Sequence, residues 1–154
     1  VFNAAAQVPA SMAPPNPANP ALVMGGTGDP LPPQTYIDAV NTLFIQPNHP
    51  GAMPQLLPTP EEGYPLTGVK SMVLTRSVNE GMAILNNAIM QQLATPGVST
   101  VTVFGTSQSV VMSSLLMQQY AAMSSGDPLP SQLNFVLIGD EMNPNGGIFA
   151  RFPV

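Results

Sequence analysis

Residues Thr100–Val111, TVTVFGTSQSVV, decide the fold. The first five, Thr100–Phe104, are β-branched or apolar and read as a buried strand. Gly105 breaks the run, and a helical pattern follows from about Gln108 to Met123. Strand, turn and helix in that order place Ser107 in the turn, inside a G-x-S-x-S pattern made by Gly105, Ser107 and Ser109. A serine on a strained strand-to-helix elbow projects its hydroxyl above the sheet, and small flanking residues let the turn close without a clash. The next backbone N–H, that of Gln108, lies near a helix N-terminus and is placed to stabilise a developing oxyanion. The alternative reading of Ser107 is a plain helix N-cap, a position serine favours because its oxygen accepts a free backbone N–H.

Working outward, Leu133–Gly139, LNFVLIG, reads as another buried strand after the break made by Gly126, Asp127, Pro128 and Pro130. Upstream, Ser77 and Glu80 have the S-x-x-E spacing of a capping box, so a helix is expected to begin there. Its apolar stripe runs through Val78, Met82, Leu85, Ile89 and Leu93 and stops at Pro96 and Gly97. Ala21–Gly25 reads as a short buried strand entering a tight glycine turn. Tyr36, Val40, Leu43 and Phe44 predict a short helix from Thr35 to about Ile45, ended by Pro47. Residues 46–76 show no sustained period and read as a covering loop. Fourteen of the 19 prolines fall between Pro9 and Pro65, so the front of the chain is expected to be mostly loop, with residues 1–20 a proline-rich arm. Strands separated by helices and buried on both faces indicate a single α/β domain over 1–154, with a mostly parallel sheet, right-handed crossovers and helices on both faces.

Composition narrows the function. Net charge is -5, with Lys70, Arg76 and Arg151 as the three fixed cations, too few to neutralise a row of phosphates, so nucleic acid is not an expected partner. Glycine, proline or polar residues interrupt every apolar run before the ~18 residues that a transmembrane span requires. No cysteine and a single histidine argue against a zinc or iron site, and no cofactor or metal is expected. Residues 1–10 lack the basic flank and long apolar core of an intact signal peptide and fit a mature terminus after cleavage.

An elbow serine needs a second oxyanion donor from the loop after an earlier strand, and Gly26 and Thr27 are the candidates. Asp29, in a G-D-P turn, is expected to brace that loop. Asp140, directly after the strand VLIG, reads as a residue lining the site, as a triad acid, or as a turn former capping its own loop. His49 lies upstream of the serine, between two prolines, and is expected to stabilise a loop rather than act as the base. Met24, Met82, Met90 and Met112 fall on expected buried faces, leaving Met53, Leu56 and Leu57 as candidates for lipid contact.

Four segments resemble the PE-PPE domain of mycobacterial cell-envelope proteins: LVMGGTGDPLP (22–32), SVNEGMAIL (77–85), VFGTSQSV (103–110) and VLIGDEMNPNGGIFARFP (136–153). This resemblance implies the serine α/β-hydrolase fold and an esterase, lipase or acyltransferase acting on fatty acyl esters or acyl-sugar lipids through an acyl-enzyme on Ser107. It also implies a secreted or cell-envelope location. One departure stands out. Such enzymes carry the triad in the order Ser, acid, His, and no histidine follows His49 here. The sequence therefore resembles the front portion of such a domain, incomplete at its C-terminal side, with the acid and histidine expected from a C-terminal fragment or second chain. The alternative is a noncatalytic binding or structural envelope component that keeps the fold.

Overall fold

Alternation along three short strands dictates the layering. In a computed structural model, which describes residues 19–123 and 128–147, β1 is Pro20–Val23, β3 is Val101–Thr106 and β4 is Leu133–Ile138. Successive side chains on a strand point to opposite faces. Ala21 and Val23 join Phe104, Ile37, Val40 and Ile45 on one face, while Leu22 and Met24 join Val101, Val103, Leu85, Ile89 and Leu116 on the other. Both faces are therefore apolar, and each needs a helical cover.

On the first face the cover is α1 (Gln34–Val40), continued through a π-helical turn (Asn41–Ile45) into α2 (Gln46–Asn48). Tyr36 and Phe44 pack edgewise and tilted on the Phe104 ring, at centroid distances of 6.4 and 5.7 Å. The helical path outlasts the expected stop at Pro47 because that proline falls in the first turn of α2, where a missing N–H breaks no hydrogen bond. The second face is covered by α3 (Leu74–Leu93) and α4 (Gln108–Ala122), with Leu85, Ile89 and Leu116 pointing into the core.

The expected start of α3 at Ser77 is corrected by one turn. Val73 is the N-cap, and Ser77 is fully buried inside the helix. Glu80 makes no capping box; it pairs with Arg76 at 2.9 Å on the exposed face. The covering loop expected over 46–76 also contains a strand, β2 (Met53–Leu56), which pairs with β1 in the register Pro20↔Met53 to Val23↔Leu56. Four residues, one of them Pro54, carry too little alternation to announce a strand, and proline is tolerated because this is a sheet edge.

All pairings are parallel and the order is β2-β1-β3-β4. The chain leaves β1 toward one edge and returns on the other side as β3, so the topology switches between these two strands. In open α/β sheets the crevice at the carboxyl ends of such a pair is where ligands collect. Here those ends carry the glycine turn after β1 and Ser107 after β3. β4, by contrast, is half-buried along its whole length and has no partner on its outer side among the described residues. The arm expected over 1–20 lies almost wholly outside the described residues, as do Gly126 and Asp127.

Phe104→Ala removes the ring at the centre of the first core face and is expected to cost roughly 3–5 kcal/mol of stability in urea denaturation. Leu66→Ala, at a side chain 89% exposed, should stay within about 0.5 kcal/mol of the parent.

Candidate active site

Small residues build the elbow. A Cβ on Gly105 would meet the Ser109 carbonyl oxygen at 3.1 Å, and the Ser109 hydroxyl closes the turn by accepting from the Thr106 N–H at 2.8 Å and donating to its carbonyl at 2.9 Å. Ser107 then has φ 52° and ψ -122°, a conformation that non-glycine residues avoid. No side-chain capping bond is made, so the N-cap alternative is not what holds this serine in place. Its hydroxyl instead points to the segment after β4 and donates to Glu141 Oε1 at 3.0 Å.

Across the crevice the glycine turn comes very near. A Cβ on Gly26 would lie 3.3 Å from both Ser107 Cβ and the Thr106 carbonyl oxygen, a tighter contact than most side chains make, so glycine eases the close passage of this backbone by the elbow. Asp29 braces the turn through its main chain, its N–H donating to the Gly26 carbonyl at 2.9 Å. Gly25 is held tight against the Asp29 carbonyl. Gln108 opens α4, where the first N–H groups of a helix have no intrahelical acceptor.

The Gln108 side chain does more than sequence reading assigned to it. It is buried, and its Oε1 accepts from the Ser77 hydroxyl at 2.7 Å. Its Nε2 donates to Thr27 Oγ1 at 3.2 Å and to the Glu62 carbonyl at 3.0 Å. The Glu62 N–H in turn donates to Ser77 Oγ at 2.9 Å, closing a ring of three residues from three segments. One amide thereby ties α4 to the glycine turn after β1, to α3 and to the loop after β2. Ser77 could have been noticed as a polar residue within the apolar stripe of α3; Glu62, which contributes its backbone, gives no signal.

Beside the turn lies a cavity of about 540 Å³, lined by Thr27, Pro30, Pro60, Glu61, Leu66 and Thr67 among others. Met53, Leu56 and Leu57 are not part of it: the first two lie on the edge strand β2 and Leu57 packs against the second core face. Asp140 uses its carboxylate on its own turn, accepting from the Met142 N–H at 2.9 Å, and Glu141 is the acid that reaches Ser107. The sequence reading fell one residue short, since a single step around a turn reverses where a side chain points.

His49 lines a separate pocket of about 190 Å³ with Asn19, Thr100 and Asn134, at the amino ends of the strands and thus at the opposite end of the sheet from Ser107. Among the described residues no group of three or more acidic or histidine side chains is arranged to hold a metal, and no helix is long and apolar enough to cross a membrane.

Residues 50–154 match the family model described as the PE-PPE domain. The chain is 46% identical over 132 residues to an uncharacterized PPE family protein, PPE28, of Mycobacterium tuberculosis, covering 86% of this chain and 20% of that protein. It is 43% identical over 134 residues to the protein named Esterase PE16 of the same organism, covering 86% of this chain and 25% of that one. It thus spans about a fifth to a quarter of these relatives' length. Among solved structures it is similar to the catalytic core domain of acetyl xylan esterase from Trichoderma reesei, with a TM-score of 0.58, 20% identity, and coverage of 83% of this chain and 66% of that one. That likeness establishes the fold as α/β-hydrolase-like.

Two outcomes test the site as built. Ser77→Ala and Gln108→Ala remove members of one ring, so their stability losses should fall short of additivity, with a coupling of about 0.5–3 kcal/mol in a double-mutant cycle. Ser107→Gly relieves the positive φ and should leave the fold as stable as the parent or up to about 2 kcal/mol more stable in the same urea titration.

Proposed function

Since the chain belongs to the PE-PPE domain family, we propose that it is the nucleophile-bearing part of a serine ester hydrolase. The observation that carries this reading is the backbone of Ser107: a positive φ at the carboxyl end of a central parallel strand, a strain that plain capping would not require. In this mechanism Ser107 Oγ attacks the ester carbonyl carbon while a base takes its proton, giving a tetrahedral oxyanion. The Gln108 N–H and the backbone of Gly26 and Thr27 stabilise the oxyanion, and its collapse expels the alcohol and leaves an acyl-enzyme. Water then releases the acid, or a sugar hydroxyl takes the acyl group if the enzyme is an acyltransferase. Fatty acyl esters and acyl-sugar lipids of the cell envelope are the proposed substrate class, with the protein acting at the envelope or after secretion. The name Esterase PE16 on one relative supports ester chemistry.

The base has to come from elsewhere. His49 is at the wrong end of the sheet, and the position a base must occupy, within about 2.6–3.2 Å of Oγ, is taken by Glu141 at 3.0 Å. We assign the triad acid and histidine to further polypeptide packed beside β4, whose outer edge is unpaired among the described residues. An imidazole entering there would displace the Glu141 contact or be oriented by it. That same contact favours a second reading, a noncatalytic envelope component in which Ser107 remains engaged with an acid.

A fluorophosphonate is expected to label Ser107 in the full-length protein, and Ser107→Ala to abolish both labelling and ester hydrolysis. Labelling that survives in the alanine variant would move the nucleophile elsewhere. The 154-residue chain by itself should hydrolyse esters about 10⁴-fold or more slowly than the complete protein, because a serine without its base keeps only binding and oxyanion stabilisation. Comparable turnover by the two would favour Glu141 as the base, and no labelling of either would favour the noncatalytic reading.

A further inference from the structure

Among the described residues Glu61 is the only acidic or basic side chain with no exposed surface. Its Oε1 accepts from Thr59 Oγ1 at 2.7 Å, and its Oε2 has no partner. The backbone is unusual as well, with φ 51° at a non-glycine residue, so the chain bears local strain to turn this carboxyl inward. Its carbonyl accepts from the Gly28 N–H at 2.7 Å, which fastens Glu61 to the turn that carries Gly26 and Thr27. On its other side, the Glu62 carbonyl accepts from Gln108. The backbone carbonyls of Glu61 and Glu62 therefore link the glycine turn to the Gln108 side chain, with the Glu61 carboxyl turned inward beside that link.

Asp29 from the glycine turn, Glu141 from the segment after β4 and Tyr36 from α1 are near enough to interact with it electrostatically, Glu62 lines the same cavity beside it, and none of these is a cation. An ionised carboxylate here would have one bare oxygen, no counter-ion and two acidic neighbours, an arrangement that buried charges avoid. We propose that Glu61 works as a neutral carboxylic acid, a positioning residue that holds the oxyanion turn against Ser107 and keeps a further negative charge out of the site. This deepens the serine hydrolase reading and rests on it. Burial above all, and then the charges of Asp29 and Glu141, push the Glu61 carboxyl up from 4.5 to about 7, against the opposing Thr59 hydrogen bond. The sign follows. Below about 7 the acid is neutral and the turn stays in place; above it, the new charge repels Asp29, Glu141 and the developing oxyanion, and turnover falls by about tenfold per pH unit.

The test uses the full-length protein, with two readouts. A wild-type minus E61Q infrared difference spectrum should show the carbonyl band of a buried protonated carboxyl that disappears as pH rises through about 7. The kcat/KM profile of the wild type should carry an alkaline limb that Glu61→Gln, neutral at every pH, removes. Thr59→Val deletes the hydrogen bond that favours the ionised form and should move that limb to higher pH, which keeps the test alive if the glutamine variant does not fold. A wild type without the infrared band overturns the proposal, as does an E61Q variant that keeps the limb or loses activity equally at every pH. If the wild type hydrolyses no ester at any pH, the hydrolase reading falls, and the band alone decides whether Glu61 is neutral.

Discussion

Everything at the site depends on a single backbone constraint, the left-handed conformation of Ser107. Conformations of this kind cost on the order of 1–3 kcal/mol and persist only where the surroundings over-determine them. Here the surroundings can be named. On the strand side, β3 is buried from Val101 to Gly105 and fixed by parallel pairing to both β1 and β4. Within the turn, Ser109 bonds both the N–H and the carbonyl of Thr106, at the one spot where Gly105 leaves room. On the helix side, Gln108 anchors the first residue of α4 to three other segments. The strain at Ser107 is thus held from both ends by paired groups, the preorganisation that the proposed nucleophile would require.

The three-residue ring of Gln108, Ser77 and Glu62 also explains why the segment after β2 belongs to the site even though it carries none of the expected chemistry. A buried amide needs partners for both its oxygen and its nitrogen, and a partly satisfied network is worse than an apolar core. Once Gln108 points inward, a hydroxyl on α3 and a backbone carbonyl must come to meet it. The loop that supplies this carbonyl also fastens the Glu61 backbone to the glycine turn and brings Leu66 and Thr67 to the cavity wall. Packing around one side chain therefore positions the pocket as well as the elbow.

Those features of the sequence that follow from a local period were legible. The strand and helix around Ser107, the apolar stripe of α3, the strand that became β4 and the layering of helices on both faces all arise from alternation or helical spacing in contiguous residues. Features that depend on long-range partners were not. Strand β2 exists because β1 offers an edge, not because MPQL alternates; Ser77 looks like a cap by spacing and is instead a buried member of a ring with Gln108, 31 residues away. Glu61 gives no signal in its own neighbourhood, since an acid among prolines ordinarily reads as exposed loop. Glu141 was overlooked in favour of Asp140 because the direction of a side chain after a strand is set by turn geometry that composition does not encode.

Under the proposed function, the acidic surroundings of Ser107 would favour a cation beside it. Glu141 bonds the serine and keeps a second buried oxygen without a partner; Asp29 and Glu61 lie close enough for their charges to act on one another; the described residues place no cation among them. An oxyanion forming in such a field would be opposed by every neighbouring carboxylate, and opposite charge weighs most where water is scarce. Keeping Glu61 neutral removes one opposing charge. In the proposed mechanism a histidine that took the serine proton would become an imidazolium, supplying positive charge as the oxyanion appears and giving the bare oxygen of Glu141 a hydrogen bond to accept. In the proposed mechanism the same electrostatics would favour the protonated base over the free one.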